Sequence, residues 1–329
     1  MSTPLPGIAL DDLQALLLAH STPGDEQEVA DILIRSWTHS GLQTRRHGRF
    51  AISATLPESE AACGPAVLVC AHMDSPGYTV ETLDDQRCTL IPLGGAHFEG
   101  GETPVVLKTA SGKIHTVLRP EETPEGRDAY FCQPVDGVRH GDRACFLPEP
   151  DIREDGVIRS PFLDNRLGCF LLCELGRRMH SLPNGINWIL GATACEEMGG
   201  FGAPVLAHAT QPDTVFCVDA TYEAPEQNVR IDEGPVLTLS DASVLLSPAE
   251  RDRIRQVAAD NGIPLQTEVY NVSGTDARAF PHAGLAADVY ALLMPSADNH
   301  TPAETASLHD WKALLDLIPR LGEGAHCNS

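Results

Sequence analysis

Apolar residues recur at helical spacing over 8–20 and again over 25–38. The Ser21-Thr22-Pro23-Gly24 break separates these two helices, and Thr22 or Asp25 is placed to cap the second. Residues 66–71 (AVLVCA) form a short, continuous apolar run, the pattern of a strand buried on both faces. From about 78 to 159 the pattern changes to short alternating pieces such as YTVETL, CTLIPL, PVVLKTA, KIHTVL and ACFLP. Turn residues punctuate them, which predicts a small all-β barrel or sandwich. After residue 160 the chain again alternates helix and strand. Helices are expected over 167–180, 249–261 and 306–321, and strands over 187–194, 214–218 and 286–294. Such alternation predicts an α/β fold with a mostly parallel sheet sandwiched by helices. The expected organisation is a discontinuous α/β domain, 1–77 and 160–329, interrupted by an inserted β domain over 78–159.

Composition narrows the function classes. The chain has 329 residues, and 42% of them are hydrophobic, enough for a sizeable core. Its 23 basic and 46 acidic residues leave a formal charge of −23, which argues against binding nucleic acid or an anionic membrane through bulk charge. Aromatics, at 5%, are too sparse for a base-stacking platform. No run of 18 apolar residues occurs, and the N-terminal stretch has no basic segment of the signal-peptide kind. The ten cysteines contain no CxxC pair, and Cys70, Cys169, Cys173 and Cys217 sit in apolar runs. Buried free thiols in a reducing cytoplasm are expected.

Chemistry is concentrated where apolar strands end. AVLVCA runs into His72-Met73-Asp74, WILGATAC into Glu196-Glu197, and TVFCV into Asp219. The strand expected at 286–294 is followed by His300, and Asp164 precedes a predicted helix. Open α/β sheets bind ligands beyond the carboxyl ends of their strands, so these residues can meet in one crevice. Two imidazoles and three carboxylates suit zinc, cobalt or manganese. A pair of divalent ions needs a bridging carboxylate, and the adjacent glutamates can divide into one ligand and one general base. A single histidine after a strand, or two adjacent glutamates, is ordinarily structural or solvated. Recurrence of such residues at several strand ends is what favours a metal site. Cys195 and the Cys169/Cys173 pair read as packing.

Several segments carry a resemblance. They are Ala71-His72-Met73-Asp74, Leu163-Asp164-Asn165-Arg166-Leu167-Gly168, Glu196-Glu197-Met198-Gly199, Val218-Asp219-Ala220-Thr221, Gly274-Thr275-Asp276-Ala277 and His300-Thr301-Pro302-Ala303-Glu304. In this order they resemble metallopeptidase family forty-two, the glutamyl and deblocking aminopeptidases that assemble as tetrahedral particles. The resemblance implies a zinc-peptidase-like fold whose inserted β domain makes subunit contacts, giving dimers that assemble to a dodecamer. It implies two divalent ions per subunit, zinc or cobalt with manganese a third candidate. Asp164 would bridge them, His72 and Asp219 would complete one site, and Glu197 and His300 the other. Glu196 would be the general base, and Asp74 would orient His72 through its other ring nitrogen. A strained or cis peptide after Asp164 is also implied. The substrates would be peptides with a free N-terminus. The family pattern is broken at Ser75-Pro76-Gly77 and at Ala297-Asp298-Asn299, so side-chain preference is not inherited.

Three other functions compete with this reading. A deacylase or carboxypeptidase-type amidohydrolase on N-acyl amino acids or peptides needs a cation for the substrate carboxylate, with Arg166, Arg230 and Arg278 as candidates. A glycosidase needs two carboxylates and no metal. A binding protein that kept only the fold has no need of a candidate base such as Glu196.

Overall fold

The computed structural model describes residues 5, 7–58, 64–122, 128–270 and 274–324. The chain opens with α1 (Asp11–Leu18), α2 (Gln27–His39), β1 (Gln43–His47), β2 (Ala51–Thr55) and β3 (Ala66–His72). Six antiparallel strands follow: β4 (Gly77–Leu83), β5 (Cys88–Leu93), β6 (Thr103–Thr109), β7 (Gly112–Glu122), β8 (Asp128–Cys132) and β9 (Arg143–Phe146). They close into a barrel in the order β4-β5-β8-β7-β6-β9. Tyr78, Leu90, Leu107 and Phe146 fill its interior, with the Tyr78 and Tyr130 rings edge to face at 4.7 Å.

The chain then returns through β10 (Asp151–Ile152), β11 (Val157–Ser160), α3 (Leu163–Arg178), β12 (Asn187–Thr193), α4 (Gly202–Thr210) and β13 (Thr214–Tyr222). It ends with β14 (Val236–Ser240), α5 (Pro248–Asp260), β15 (Gln266–Val269), α6 (Ala279–His282), β16 (Asp288–Ala297), β17 (Glu304–Ser307) and α7 (Leu308–Glu323). The main sheet has 11 strands, with β1-β2-β12-β3-β13-β16-β17-β11-β10 as its path and β14 and β15 branching beside β16. Its heart, β12-β3-β13-β16, is parallel, while the strands flanking it pair antiparallel apart from the parallel pair β14-β15. The segment expected as one β insert therefore divides. Its barrel strands stop at Phe146, whereas β10 and β11 join the main sheet through β17.

The buried heart explains the continuous apolar run of β3, which has a strand on either side and helices on both faces. One face is covered by α1, α2, α3, α5 and α7, the other by α4 and α6. The α3 helix is buried over nearly its whole length, because helices cover the side turned away from the sheet. Trp37 and Trp311 pack on it and donate their indole N–H groups to the carbonyls of Leu172 and Leu167. A Cβ at Gly168 would stand 2.1 Å from Asn165 Oδ1 and 2.9 Å from Ala71 Cβ, so only glycine lets α3 lie this close to β3.

The expected caps of α2 lie elsewhere. Glu26 is the residue before the helix and makes no side-chain cap bond. Thr22 is buried against Gly77, and Asp25 pairs with Lys108 at 2.9 Å. The eight described cysteines are all buried free thiols. Cys63 and Cys327 lie outside the described residues. No described helix is long and apolar enough to cross a membrane.

Candidate metal centre

Parallel pairing delivers the candidate ligands to one edge of the sheet. His72 closes β3 directly beside Thr193, the last residue of β12. Beyond Thr193 the chain turns through Glu196 and Glu197, and Asp219 lies near the end of the parallel neighbour β13. Asp164 sits at the start of α3, and His300 follows β16. Ligand atoms of His72, Asp164 and Asp219 lie within 4.8 Å of one another, as do those of Asp164, Glu197 and His300, and those of His72, Glu196 and Glu197.

Asp164 is common to two of these groups. Its Oδ1 is 3.1 Å from His72 Nε2, and its Oδ2 is 3.6 Å from His300 Nε2. His72 Nε2 is also 3.1 Å from Asp219 Oδ1, and His300 Nε2 is 3.5 Å from Glu197 Oε1. The peptide joining Asp164 to Asn165 is cis. Asn165 donates its side-chain amide to the Val218 carbonyl at 2.8 Å and to Asp219 Oδ1 at 3.2 Å.

Asp74 is placed differently from the sequence expectation. His72 Nδ1 does meet residue 74, but through its backbone carbonyl at 3.0 Å, while the carboxylate is 3.7 Å away. That carboxylate instead accepts the N–H of Glu196 on Oδ1 at 3.0 Å and the N–H of Glu197 on Oδ2 at 3.1 Å. It holds the turn that carries both glutamates.

Other residues, to which the sequence reading gave no role, pin the site. Glu26 accepts the N–H of Cys195, whose φ of 57° places it in the left-handed region. Glu304 accepts the N–H of Asp164 and of His300, fixing two candidate ligands with one buried carboxyl. Its place in the His300-to-Glu304 segment was the available signal. Asp276 is buried, accepts the Thr193 hydroxyl at 2.5 Å and leaves Oδ1 without a hydrogen-bond partner. The barrel also reaches the site. Gly94 and Gly95, with φ of 66° and 77°, lie against Glu197 and His300, and a Cβ on Gly94 would be 2.7 Å from that of Glu197.

The electrostatics favour a cation. Burial pushes the Glu196 and Glu197 carboxyls well above their ordinary range, with Asp164 adding to the shift at Glu197. Burial works against a charged His72, yet Asp219 and Asp164 outweigh it and raise its pKa well above the usual value. Burial would also raise Asp164, but hydrogen bonding to His300 and His72 holds it low. Glu304 is pushed up to about 8 by burial and by Asp164. Glu197 Oε1 is buried without a hydrogen-bond partner. Carboxylates and imidazoles turned toward one another, with one carboxylate oxygen unsatisfied, fit a divalent ion with O and N donors. The cavity above them has a volume of 150 Å³.

The candidate cations for a substrate carboxylate are not there. Arg166 is buried and donates to the carbonyls of Leu16 and Met73 and to Ser75 Oγ. Neither Arg230 nor Arg278 is among the described residues lining the cavity.

Comparison with known proteins agrees with the geometry. The chain is 28% identical to the glutamyl aminopeptidase of Lactococcus lactis, over 82% of this chain and 83% of that protein. It is likewise 28% identical to the lysyl aminopeptidase of Pyrococcus furiosus, over 79% of this chain and 82% of the relative. The solved TET1 peptidase of Pyrococcus horikoshii, described as assembling into a tetrahedron or a large octahedral shell, superposes with a TM-score of 0.82. It is 23% identical, with 95% of this chain and 98% of that one covered, which establishes a shared fold. The model of the M42 glutamyl aminopeptidase family matches residues 135–317, more than half of the chain. The chain therefore belongs to the M42 glutamyl aminopeptidase family and is a hydrolase, a metallopeptidase of the aminopeptidase type.

Proposed function

We propose that this enzyme is a dinuclear-metal-dependent aminopeptidase that releases N-terminal residues from peptides. The observation that carries the reading is Asp164, whose two carboxylate oxygens face His72 on one side and His300 on the other. In this reading His72 and Asp219 would hold one ion and Glu197 and His300 the other, with Asp164 shared between them. Two divalent ions, zinc or cobalt with manganese as a third candidate, would polarise the scissile carbonyl and acidify a water. Glu196 takes the proton from the attacking water and hands it to the leaving amine. Asp74 keeps Glu196 in place by holding its backbone N–H. The described walls carry no lysine or arginine to grip a substrate carboxylate, which disfavours the deacylase or carboxypeptidase alternative.

The α/β domain is discontinuous, and the closed barrel inserted in it supplies surface for subunit contacts. The assembly of a structural relative supports a homo-oligomer for this chain. Eight buried thiols fit a reducing compartment, and we place the enzyme in the cytoplasm. The relatives are named for a glutamyl and for a lysyl residue, so the names leave the preferred first residue open.

The test is to strip the protein with chelator and reload it with zinc, cobalt or manganese. Free and N-acetylated peptides are then offered. Stepwise loss of N-terminal residues from free peptides alone, and only with metal, is expected. Glu196→Gln should bind metal as the parent does yet lose about 100- to 10,000-fold in kcat. Parent-like turnover by that variant would remove Glu196 from the role. Cleavage of acetylated substrates alone would overturn the aminopeptidase reading.

A further inference from the structure

The cavity that holds the candidate ligands is also lined by two carboxyls that the proposed chemistry leaves unused. Asp241 follows β14, and Glu268 lies on β15. These strands run parallel to each other beside β16, at the corner where the sheet branches. Both residues line the same 150 Å³ cavity as His72, Asp164 and Glu196.

Among the described residues, neither carboxyl makes an ion pair. Glu268 is almost wholly buried, and its oxygens accept the Thr221 hydroxyl at 2.7 Å and the Thr238 hydroxyl at 2.9 Å. Hydroxyl partners orient a carboxylate but leave its charge unbalanced. Burial raises the Glu268 pKa, with the two threonines opposing. An arriving cation relieves that burden and favours the ionised form. Asp241 Oδ1 is aimed by the N–H groups of Ser243 and Val244, at 2.5 and 2.7 Å. Arg278 acts on Asp241 electrostatically but does not line the cavity. The cavity wall also includes Ala220, Tyr222 and Leu293, which suit an aliphatic stem.

We propose that Asp241 and Glu268 form an acidic subsite that selects peptides whose first residue is lysine or arginine. The proposal rests on the aminopeptidase reading above. A long aliphatic stem lies along the apolar wall, and its ammonium or guanidinium head meets the two carboxyls. An acidic first residue meets like charge there, and a leucine leaves the carboxyls without a counter-charge.

The experiment compares Lys-, Arg-, Leu- and Glu-p-nitroanilide with the metal-loaded enzyme. The kcat/KM for lysine and arginine should exceed that for leucine by about tenfold or more, with glutamate lowest. Asp241→Asn and Glu268→Gln keep shape and remove charge. Each should shrink the Lys-to-Leu ratio about tenfold, mainly through KM. If Glu268→Gln does not fold, Asp241→Asn alone carries the test. A preference for leucine or glutamate overturns the subsite and leaves the aminopeptidase reading intact. Equal losses on all four substrates also overturn it, because the carboxyls then hold the common α-ammonium group. Cleavage of none of them, nor of any free peptide, removes the aminopeptidase reading and the subsite with it.

Discussion

Two consecutive backbone N–H groups, those of Glu196 and Glu197, end on the two oxygens of one buried carboxylate, Asp74. Replacing Asp74 by Asn turns one of those acceptors into an NH2 facing an N–H. The turn then loses a bond and gains a donor–donor contact. Under the proposed mechanism Asp74→Asn lowers kcat about 10- to 100-fold, with a smaller effect on KM. Parent-like kcat in that variant would show that the turn needs no such clamp. Candidate ligands such as His72, Asp219 and the Glu196-Glu197 pair were legible because each breaks an apolar run abruptly. Glu26, Asp241, Glu268 and Glu304 break no such run. Their burial arises from neighbours distant in sequence, as when Glu304 accepts the N–H of Asp164, and residue type alone does not reveal that.

Elements were legible in proportion to their burial. β3, β12 and β16 show as apolar runs because the heart of the sheet is covered on both faces. β1 reads QTRRH and is a strand only through its pairing with β2 at the sheet edge. α4, with glycine and proline in its first turn, is short and carries little periodic signal. The N-terminal turn of α7 has its own titration. Asp310 accepts the N–H of Asp232 at 2.7 Å and of Gly234 at 2.5 Å, tying the helix to the loop before β14. Burial nevertheless raises its pKa from 3.8 to about 6. A carboxyl whose folded pKa is raised contributes most below its unfolded pKa, and the contribution is lost as pH rises through the folded value. The advantage of the parent over Asp310→Asn should therefore shrink between pH 4 and 7, on the order of 2 kcal/mol. Thermal melts across that range check it, and a pH-independent gap would contradict the assignment.

At the scale of the molecule, the sequence conveyed an α/β body interrupted by β structure, but not where the interruption ends. β10 and β11 share the short, turn-punctuated texture of the barrel strands, and only their pairing with β17 assigns them to the main sheet. The barrel is a closed unit with its own core, so its outer surface is available for contacts between copies. Mass photometry of the purified protein should show a particle of about twelve protomer masses, or a dimer on the way to it. A monomer at all concentrations would remove the assembly from the proposal. Net charge bears on that measurement, since −23 per protomer repels and higher salt should favour association.

The order β2-β12-β3-β13 has a consequence for timing. β3 is made early, yet its partners β12 and β13 follow only after the whole barrel and α3. Until they arrive, β3 has two open edges and His72 has no companions. His300 is made later still, so the cluster stays incomplete until the chain has passed residue 300. Long-range pairing of this kind folds slowly and leaves sticky edges in the interim. Under the proposed function, a copy cut short before residue 300 lacks a candidate ligand and would leave the peptides around it intact.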